Sequence, residues 1–422
     1  MVDTICIFEG IYSSRLLPLA YLRPIYDLRC GILTLREKIE RAFPKIPVTL
    51  HSRAYLSDSI QEKNLDLKVN ELGPNIKSCL FINGRIIANR DLSEKIPASG
   101  TDTLYVDGDT IIAARVSGSN LDVLRKAMHD VFTISDFSGL VKEEIDVKYI
   151  NYPWDLISNN GNQIISDSEE LFGKEKQIIK GHLYENVTLI NQNNIFIDEG
   201  VKVKPGVILD AEEGPIIIGK NAKIFPNAVI EGPCYIGENS QIKIGAKIYE
   251  NTSIGPVCKV GGEVEESIIH SYSNKQHDGF LGHAYLGSWV NLGADTNNSD
   301  LKNNYGSVKV IINDEQIDSG SMFVGLTMGD HSKSSINTMF NTGTVVGVSS
   351  NVFGTGFPQK YLPSFSWGGS ESLTTYDLDR SIEVAKRVME RRKIEFSEVD
   401  ERVFRKVFDL TKEERRRRGM PN

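Results

Sequence analysis

Eight aliphatic residues recur at an interval of six in the middle of this chain, without one interruption. They are Ile218, Ile224, Ile230, Ile236, Ile242, Ile248, Ile254 and Val260. The fourth residue after each is mostly small: Ala222, Ala228, Cys234, Ser240, Ala246, Thr252, Cys258 and Val264. Neither the period of a helix nor that of a single strand produces this pattern. A hexapeptide repeat does, and it predicts a parallel β-helix.

The repeat also sets the geometry of the neighbouring segments. Each hexapeptide forms one side of a triangular prism, so one coil takes about 18 residues, and the small residue lies near a corner. The register extends upstream through Ile197, Val203 and Leu209. Leu209 and Ile218 are nine apart instead of six, which predicts that three extra residues within 211–215 bulge out at a corner. Stacking of coils supplies the apolar core that one coil lacks.

Weaker repeats follow the uninterrupted run. Residues 282–291 and 322–353 are predicted to form further coils. Their spacing of six is kept by Ile336, Thr342 and Val348, with Phe340, Val346 and Val352 at the fifth positions. The aromatic, Gly- and Pro-rich segment 354–369 is predicted to be an ordered cap.

Composition excludes several classes of protein. With 422 residues, two or three domains are expected, and a net charge of −8 argues against a general nucleic-acid binder. The five cysteines are scattered without a CxxC pair, which is typical of a reducing compartment. No apolar run has membrane-spanning length, and the N-terminus lacks the pattern of a signal peptide. We therefore expect a cytoplasmic protein without a membrane or nucleic-acid partner.

Three regions are predicted along the chain. Residues 1–178 form an α/β domain, residues 179–370 the β-helix and residues 371–422 a helical tail. Strands are predicted at Thr4–Phe8, Val48–Leu50, Cys79–Ile82, Thr103–Val106 and Ile111–Ala114, and helices at Ile32–Phe43, Leu121–Phe132 and Tyr152–Phe172. The tail is predicted to hold helices at Tyr376–Arg392 and Glu398–Arg418. Its arginines form either a solvated face or an element that contacts phosphate or a neighbouring subunit.

The segment from Ser267 to Thr296 reads SIIHSYSNKQHDGFLGHAYLGSWVNLGADT. It resembles the acetyltransferase half of the GlmU-like family, which joins N-acetylglucosamine-1-phosphate uridyltransferase to glucosamine-1-phosphate acetyltransferase. The family's spacing of His, Tyr, Gly and a distant Asn falls here on His277, Phe280, Gly282 and Asn291. The domain order is similar to that of the shorter bacterial variants described as sugar nucleotidyltransferases. The resemblance implies a nucleotidyltransferase-like α/β domain, a left-handed β-helix and C-terminal helices.

The resemblance also assigns roles on the β-helix. Transfer of an acetyl group from coenzyme A to a sugar amine needs a base near neutral pH, a task that suits histidine. His277 matches the family's base and Asn291 its sugar contact. Ala294 falls in the stretch that contacts acyl-CoA, and Asn304 with Tyr305 matches the family's Asn-Tyr pair four residues late. His283 and His331 are second candidates for the base, and the spacing of His277 and His283 gives no support for a zinc site.

Some substrate-binding positions depart from the family. Phe280 replaces a tyrosine and loses its hydroxyl. Two basic positions that hold the sugar phosphate fall on Glu265 and Gly261, for which Lys275 or Lys259 would compensate. The acceptor therefore stays open between glucosamine 1-phosphate and another sugar.

The resemblance is weaker in the N-terminal domain. The family's Gly-rich, nucleotide-binding loop keeps only Gly10 and Arg15, and its Pro-Lys motif becomes Arg23-Pro24. Gly10, Arg15 and Arg23 are the nucleotide-binding candidates. The family's Gly-Asp that holds Mg²⁺ falls on Gly84-Arg85. Asp107 and Asp109 would supply a carboxylate for Mg²⁺, or they belong to a hairpin turn.

Three functions follow from these observations. The first is a homotrimeric acyltransferase that uses acetyl-CoA and acts on an amino-sugar phosphate or a nucleotide sugar, with a possible second, Mg²⁺-dependent nucleotidyltransferase activity. The second is a nucleotidyltransferase whose β-helix serves only assembly. The third is a sugar-nucleotide-binding regulatory protein without catalysis.

Overall fold

A seven-stranded sheet forms the core of the N-terminal domain. The computed structural model describes residues 1–126, 128, 130–173 and 178–421. The strands are β1 (Thr4–Phe8), β2 (Val48–Leu50), β3 (Lys68–Val69), β4 (Ser78–Asn83), β5 (Thr103–Asp107), β6 (Thr110–Ser117) and β7 (Val141–Glu144). Their order is β3-β2-β1-β4-β6-β5-β7, and β1 runs parallel to both β2 and β4. The strand order reverses at β1, because β2 lies on one side of it and β4 on the other. Open α/β sheets bind ligands at such a point, at the carboxyl ends of the strands.

Helices cover both sides of this sheet. They are α1 (Leu35–Ala42), α2 (Ser57–Lys63), α3 (Leu92–Lys95) and α4 (Gly118–Lys126), whereas α5 (Pro153–Phe172) packs on the β-helix. The predicted helix Ile32–Phe43 begins only at Leu35, because Thr34 and Glu37 form a capping box there. The helix predicted over Leu121–Phe132 is wrong at its end: Phe132 pairs with Gly10 as a parallel bridge. Residues 127 and 129 of that stretch lie outside the described residues.

From Ile178 onward the chain winds into a three-sided parallel β-helix. The docking face consists of Ile178–Ile179, Ile195–Ile197, Ile216–Ile218, Cys234–Ile236, Thr252–Ile254, Ile268–Ser271, Tyr285–Ser288, Thr327–Met328, Val345–Val346 and Tyr361–Leu362. The lysine face consists of His182–Leu183, Lys202–Val203, Lys223–Ile224, Gln241–Ile242, Lys259–Val260 and Asn274–Lys275, followed after Asn291 by Lys333–Ser334, Asn351–Val352, Ser366–Gly368 and Leu373–Thr375. The acidic face consists of Thr188–Ile190, Ile208–Asp210, Val229–Glu231, Lys247–Ile248, Glu263–Glu265 and Phe280–Gly282, with Asn297–Asn298 and Met339–Phe340 beyond.

The interior of the prism confirms the repeat. All eight aliphatic residues from Ile218 to Val260 are buried in one continuous core. The small residues that follow them are buried too. Among these, the polar Ser240 is satisfied inside the prism, because its Oγ donates to Gly255 O over 2.8 Å and accepts from Cys258 N over 2.9 Å. The two predicted flanks of the bulge, Leu209 and Ile218, both stay in the core.

The later coils differ from the prediction. Ile336 is 68% exposed, whereas Phe340, Val346 and Val352 point into the core, so the predicted phase there is wrong. Val348 is buried outside the prism, against the N-terminal domain and the tail. The predicted cap is a further coil, because Tyr361–Leu362 pairs in parallel with Val345–Val346. A hairpin of Lys309–Ile312 and Glu315–Asp318, which the sequence did not predict, projects from the coils.

The corner between the docking face and the lysine face repeats one backbone feature. One residue per coil has a positive φ there, and each donates its N–H to the coil before it. This corner column comprises Asn221, Asn239, Val257, Tyr272, Trp289, His331, Ser349 and Phe365. Asparagine tolerates this left-handed conformation, whereas valine and aromatic residues adopt it rarely.

The docking face packs against the N-terminal domain. Its outward side chains are largely apolar and contact α5 and the loop before α1. These outward residues include Phe196, Ile217, Tyr235, Ile268 and Tyr285. The carboxylate of Asp167 in α5 pairs with Lys38 and accepts from the backbone of Ile32 and Leu33. The boundary between the two domains is therefore apolar, and the buried Lys38–Asp167 pair ties α5 to α1 within the N-terminal domain.

The tail forms helices α6 (Leu378–Glu390), α7 (Glu398–Leu410) and α8 (Lys412–Arg417). The predicted helix Glu398–Arg418 is interrupted at Thr411, whose hydroxyl accepts from the buried Arg415. Arg415 also stacks on Phe408 at 3.9 Å, so this arginine is part of the packing and not of a solvated face. No helix among the described residues is both long and apolar enough to cross a membrane.

Candidate functional site

His277 lies at a corner between the lysine face and the acidic face. Its neighbour Asp278 accepts from Asp295 N over 3.0 Å, and Phe280 N donates to Asn297 Oδ1 across the same 17-residue step. That register places Ala294 at the same corner as His277, one coil further along. Ala294 O in turn accepts from Asn337 N over 2.8 Å, which brings the exposed Ile336 to the same corner. The structure thus brings together the predicted base and the predicted acyl-CoA contact.

The imidazole of His277 is exposed to solvent. No hydrogen bond to either of its ring nitrogens occurs within residues 1–126, 128, 130–173 and 178–421. Its backbone is held, because Lys275 Nζ donates to His277 O over 2.7 Å. A fixed backbone with an unengaged ring leaves the imidazole available to a substrate proton.

Lys275 occupies an unexpected place. It pairs with Val260 and continues an inward-pointing position of the prism, so that only 2% of the residue is exposed. Burial lowers the pKa of Lys275 to about 8, although the nearby carboxylates of Asp278 and Asp295 counteract it. This position suits a group that holds the His277 corner better than one that contacts a substrate phosphate.

Asn291 lies on the lysine face, one coil above Asn274 and one below Lys333. Asn274 Nδ2 donates to Asn291 Oδ1 over 3.4 Å, and Arg392 from the α6–α7 turn donates to Asn274 Oδ1 over 2.9 Å. Burial lowers the pKa of Lys333 to about 8. Asn291 therefore sits in a polar patch that the C-terminal tail reaches.

The remaining predicted β-helix residues lie further from His277. Phe280 is half-buried on the acidic face, where its ring occupies the space a side chain at Gly282 would need. Asn304 and Tyr305 are exposed in the turn before the hairpin, and Tyr305 is 67% exposed. Within the described residues, this turn makes no hydrogen bond to the His277 corner.

The predicted nucleotide site is a cavity at the ends of β1 and β4. Gly10, Tyr12, Asn83, Arg85 and Asp109 contribute to its wall, and its volume is only about 20 Å³. Arg15 stacks on Tyr12 at 4.1 Å and donates to Asn151 Oδ1 over 3.4 Å. A pocket for a drug-sized ligand measures roughly 300–1,000 Å³. The side chains present fill the space that a nucleotide would need.

A buried ion pair closes the loop after β1. Glu9 is fully buried and accepts two hydrogen bonds of 3.0 Å from the guanidinium of Arg53. The same carboxylate accepts from Ile25 N over 2.9 Å. The carboxylate at the start of this loop therefore ties the segments around Ile25 and Arg53 together.

The donor set at this cavity does not fit Mg²⁺. Arg85 stands where the resembled family has an aspartate; it is 1% exposed and donates to Ile150 O over 3.0 Å. Burial lowers the pKa of Arg85 to about 10. Asp107 and Asp109 belong to the hairpin between β5 and β6, and Asp107 accepts from Tyr149 Oη. Among the described residues no group of three potential metal ligands occurs.

Arg23 contacts the β-helix instead of this cavity. Its guanidinium pairs with Asp330 and donates to Ser288 Oγ over 3.0 Å. Both partners lie beside the corner column, at the junction of the N-terminal domain, the β-helix and the tail. Arg23 is therefore separated by its contacts from Arg15 and Gly10.

His283, a second candidate for the base, has both ring nitrogens engaged. Nδ1 lies 2.9 Å from Asp300 and Nε2 lies 3.2 Å from Glu266. Burial alone would lower the pKa of His283, but the two carboxylates outweigh it and raise the pKa to about 9. This histidine is a structural cation.

The pH dependence of stability tests that role. A raised folded-state pKa stabilises the fold below the unfolded pKa of about 6.5, and this stabilisation disappears as pH rises through about 9. We expect His283→Gln to lower the free energy of unfolding by about 1–3 kcal/mol at pH 6 and by much less at pH 9.5. Denaturant titrations of both proteins at the two pH values measure the difference. An equal loss at both values would contradict the assignment.

The fold has two main parts, a nucleotidyltransferase-like α/β domain and a β-helix of hexapeptide repeats, and each part matches a family model. Residues 5–176 match the family described as "Sugar nucleotidyl transferase", and residues 215–249 match "Bacterial transferase hexapeptide (six repeats)". The predicted fold class is confirmed: a nucleotidyltransferase-like domain, a hexapeptide β-helix resembling the left-handed type, and C-terminal helices.

Individual relatives cover only part of the chain. "Bifunctional protein GlmU" of Rippkaea orientalis is 33% identical over 140 residues, which is 28% of this chain and 31% of that protein. The protein of the same name from Alkaliphilus metalliredigens is 28% identical over 188 residues, 38% of this chain and 40% of that protein. The chain thus spans about a third of the length of the curated relatives it matches.

A solved structure, the UDP-N-acetylglucosamine acyltransferase of Francisella novicida, is similar with a TM-score of 0.30 and 11% identity. That similarity covers 54% of this chain and 90% of the other.

Proposed function

We propose that this protein is an acyl-CoA-dependent transferase that acylates an amino-sugar phosphate or a nucleotide sugar, with His277 as the general base. The observation that carries the proposal is the His277 corner. The exposed imidazole has no hydrogen-bond partner among the described residues, and Lys275 holds its backbone. Ala294 lies at the same corner of the next coil, and Asn291 lies on the adjoining face.

The proposed reaction uses these groups in order. The imidazole of His277 accepts a proton from the sugar amine as the nitrogen attacks the thioester carbonyl. Collapse of the tetrahedral intermediate breaks the C–S bond, and the imidazolium returns the proton to the leaving thiolate. The products are an amide and free coenzyme A. Asn291 supplies an amide for a sugar hydroxyl, next to Asn274.

The lysine face supports binding of both substrates, each of which carries phosphate. Its outward side chains include Lys202, Lys223 and Lys259. A column of like charge raises the local concentration of anions. The acidic face carries Asp210, Glu231, Glu263 and Glu265 instead.

The opposite charges of these two faces support side-by-side packing of three copies, with acyl-CoA in the groove between prisms. Light scattering of the full chain tests the trimer. A monomer at the concentration at which the acyl-transfer assay shows activity would remove the groove from the proposal.

Thiol release tests the activity. Full-length protein is incubated with acetyl-CoA and, in turn, glucosamine 1-phosphate and amino-sugar nucleotides, and free coenzyme A is measured with a thiol reagent. We expect at least one of these acceptors to cause release of free coenzyme A. Release that is independent of every acceptor would contradict the proposal.

The match over residues 5–176 keeps nucleotidyl transfer as the second candidate function. The small cavity and the Arg85 guanidinium favour a domain without this activity. We therefore expect no pyrophosphate release above background from any of the four ribonucleoside triphosphates or dTTP with sugar 1-phosphates and Mg²⁺. Sustained release with one nucleotide would show that the cavity opens and that the domain is active.

A further inference from the structure

The largest of the described cavities lies at the junction of all three regions of the chain, away from His277 and from the small cavity of the N-terminal domain. It measures about 610 Å³. Its walls come from residues 22–27 and 59–63, from the corner column, and from residues 389–404 of the tail. This volume lies in the range of small-molecule sites.

The corner column changes its residue type at this cavity. In the earlier coils this column holds Asn221, Asn239 and Val257, at φ of 58°, 57° and 61°. At the cavity the same positions hold Tyr272, Trp289 and His331, at φ of 54°, 63° and 60°. Bulky residues rarely adopt this conformation, and strained backbone of this kind concentrates at functional sites.

The three rings form one continuous stack. Tyr272 and Trp289 lie 4.3 Å apart with nearly parallel planes, and Trp289 and His331 lie 6.0 Å apart. All three line the cavity. Phe404 packs edge-on against His331 at 5.0 Å, and Phe396 packs on Phe404. The cavity therefore has an aromatic wall that suits the apolar face of a ring.

A buried polar atom at this wall has no partner. His331 is 5% exposed, and its Nδ1 makes no hydrogen bond within the part of the chain that the structure describes. Burial, together with the charges of Lys333 and Arg23, lowers the pKa of His331 well below its ordinary value, so the ring is neutral. Nδ1 is then a donor or an acceptor according to the tautomer, and a hydroxyl group satisfies either.

The charges of the lining select against anions. Arg23 is paired with Asp330, and Lys63 lies 3.7 Å from Asp400. The lining also holds the carboxylates of Asp27, Glu62 and Glu395. The lining therefore carries more carboxylates than cations. Phosphates and nucleotides would meet repulsion, whereas hydroxyl groups find acceptors.

From the aromatic wall, the unpartnered imidazole nitrogen and the excess of carboxylates, we propose that the junction cavity is a binding site for an uncharged monosaccharide ring. The site is distinct from the proposed acyl-transfer corner and does not depend on it.

Calorimetric titration of the full-length protein tests this site. The probes are glucose, galactose, mannose and N-acetylglucosamine at millimolar concentrations, with glucose 1-phosphate as the anionic counterpart. We expect at least one neutral sugar to bind, and glucose 1-phosphate to bind no tighter than glucose. His331→Phe, which keeps a ring and removes Nδ1, should weaken binding at least tenfold.

Ser349→Ala is the matched control, since Ser349 belongs to the same column one coil further and does not line the cavity. It should bind as wild type does. If His331→Phe fails to fold by circular dichroism, Phe396→Ala at the half-buried turn replaces it, with the same expected loss. The proposal is overturned if no neutral sugar binds, if glucose 1-phosphate binds tighter than glucose, or if folded His331→Phe or its replacement binds like wild type. His277→Gln should retain sugar binding, which separates this site from the proposed activity.

Discussion

Replacing His277 by glutamine is expected to lower kcat for acyl transfer by about 10²–10⁴-fold. Glutamine keeps a polar side chain at the corner but cannot accept the proton of the attacking amine. The backbone contact from Lys275 Nζ to His277 O does not involve the side chain, so the corner should keep its shape. Thiol release at saturating acetyl-CoA measures kcat, and the affinity for acetyl-CoA should change little.

His182→Gln is the matched control for this prediction. His182 is an exposed histidine on the lysine face, many coils from the corner, and it packs against Tyr184. The control should retain the wild-type rate. A wild-type rate in His277→Gln would remove this residue from the mechanism, whatever acceptor is used.

Asp167→Ala is expected to lower the free energy of unfolding by about 3–5 kcal/mol, more than His283→Gln or Glu383→Ala. Lys38 and Asp167 expose only 1% and 3% of their side chains, and Asp167 also accepts from Ile32 N over 2.8 Å and Leu33 N over 3.0 Å. Truncation leaves a buried ammonium and two backbone donors without a partner. The shift of the denaturant midpoint, followed by tryptophan fluorescence, measures this loss.

Two further variants separate charge from packing. Glu383→Ala breaks an exposed pair with Arg387 within α6 and should change stability by no more than about 0.5 kcal/mol. The double variant Lys38→Met with Asp167→Asn leaves no buried charge and should recover part of the loss. A loss in Asp167→Ala as small as that in Glu383→Ala would contradict the role given to the buried pair.

Much of the fold could be predicted from periodicity. Strands Thr4–Phe8 and Val48–Leu50 are observed at their predicted bounds, and the uninterrupted repeat is buried as predicted. The phase around Ile336 was wrong because two interleaved sets of residues there share a spacing of six, and only packing decides which set points inward. The end of the helix predicted to reach Phe132 was wrong because tertiary pairing with Gly10 overrides a local apolar pattern.

The candidate sites also differ in how far the sequence could predict them. The spacing from His277 to Asn291 is local, so a motif was enough to suggest it. The junction cavity joins segments as distant as Arg23, His331 and Phe404, and no spacing in the sequence reveals that contact. One signal was available: aromatic residues at Tyr272 and Trp289 replace the asparagine and valine of earlier corners.

The apolar docking face has a consequence for the history of the N-terminal domain. Were the prism freed of its cover, the outward rings and aliphatic chains from Phe196 to Tyr285 would meet water as one hydrophobic strip. Such a strip invites aggregation. Selection would therefore retain a folded N-terminal domain that covers the docking face, even where the domain has no ligand pocket of its own. The small cavity beside Gly10 agrees with a domain retained for this packing surface.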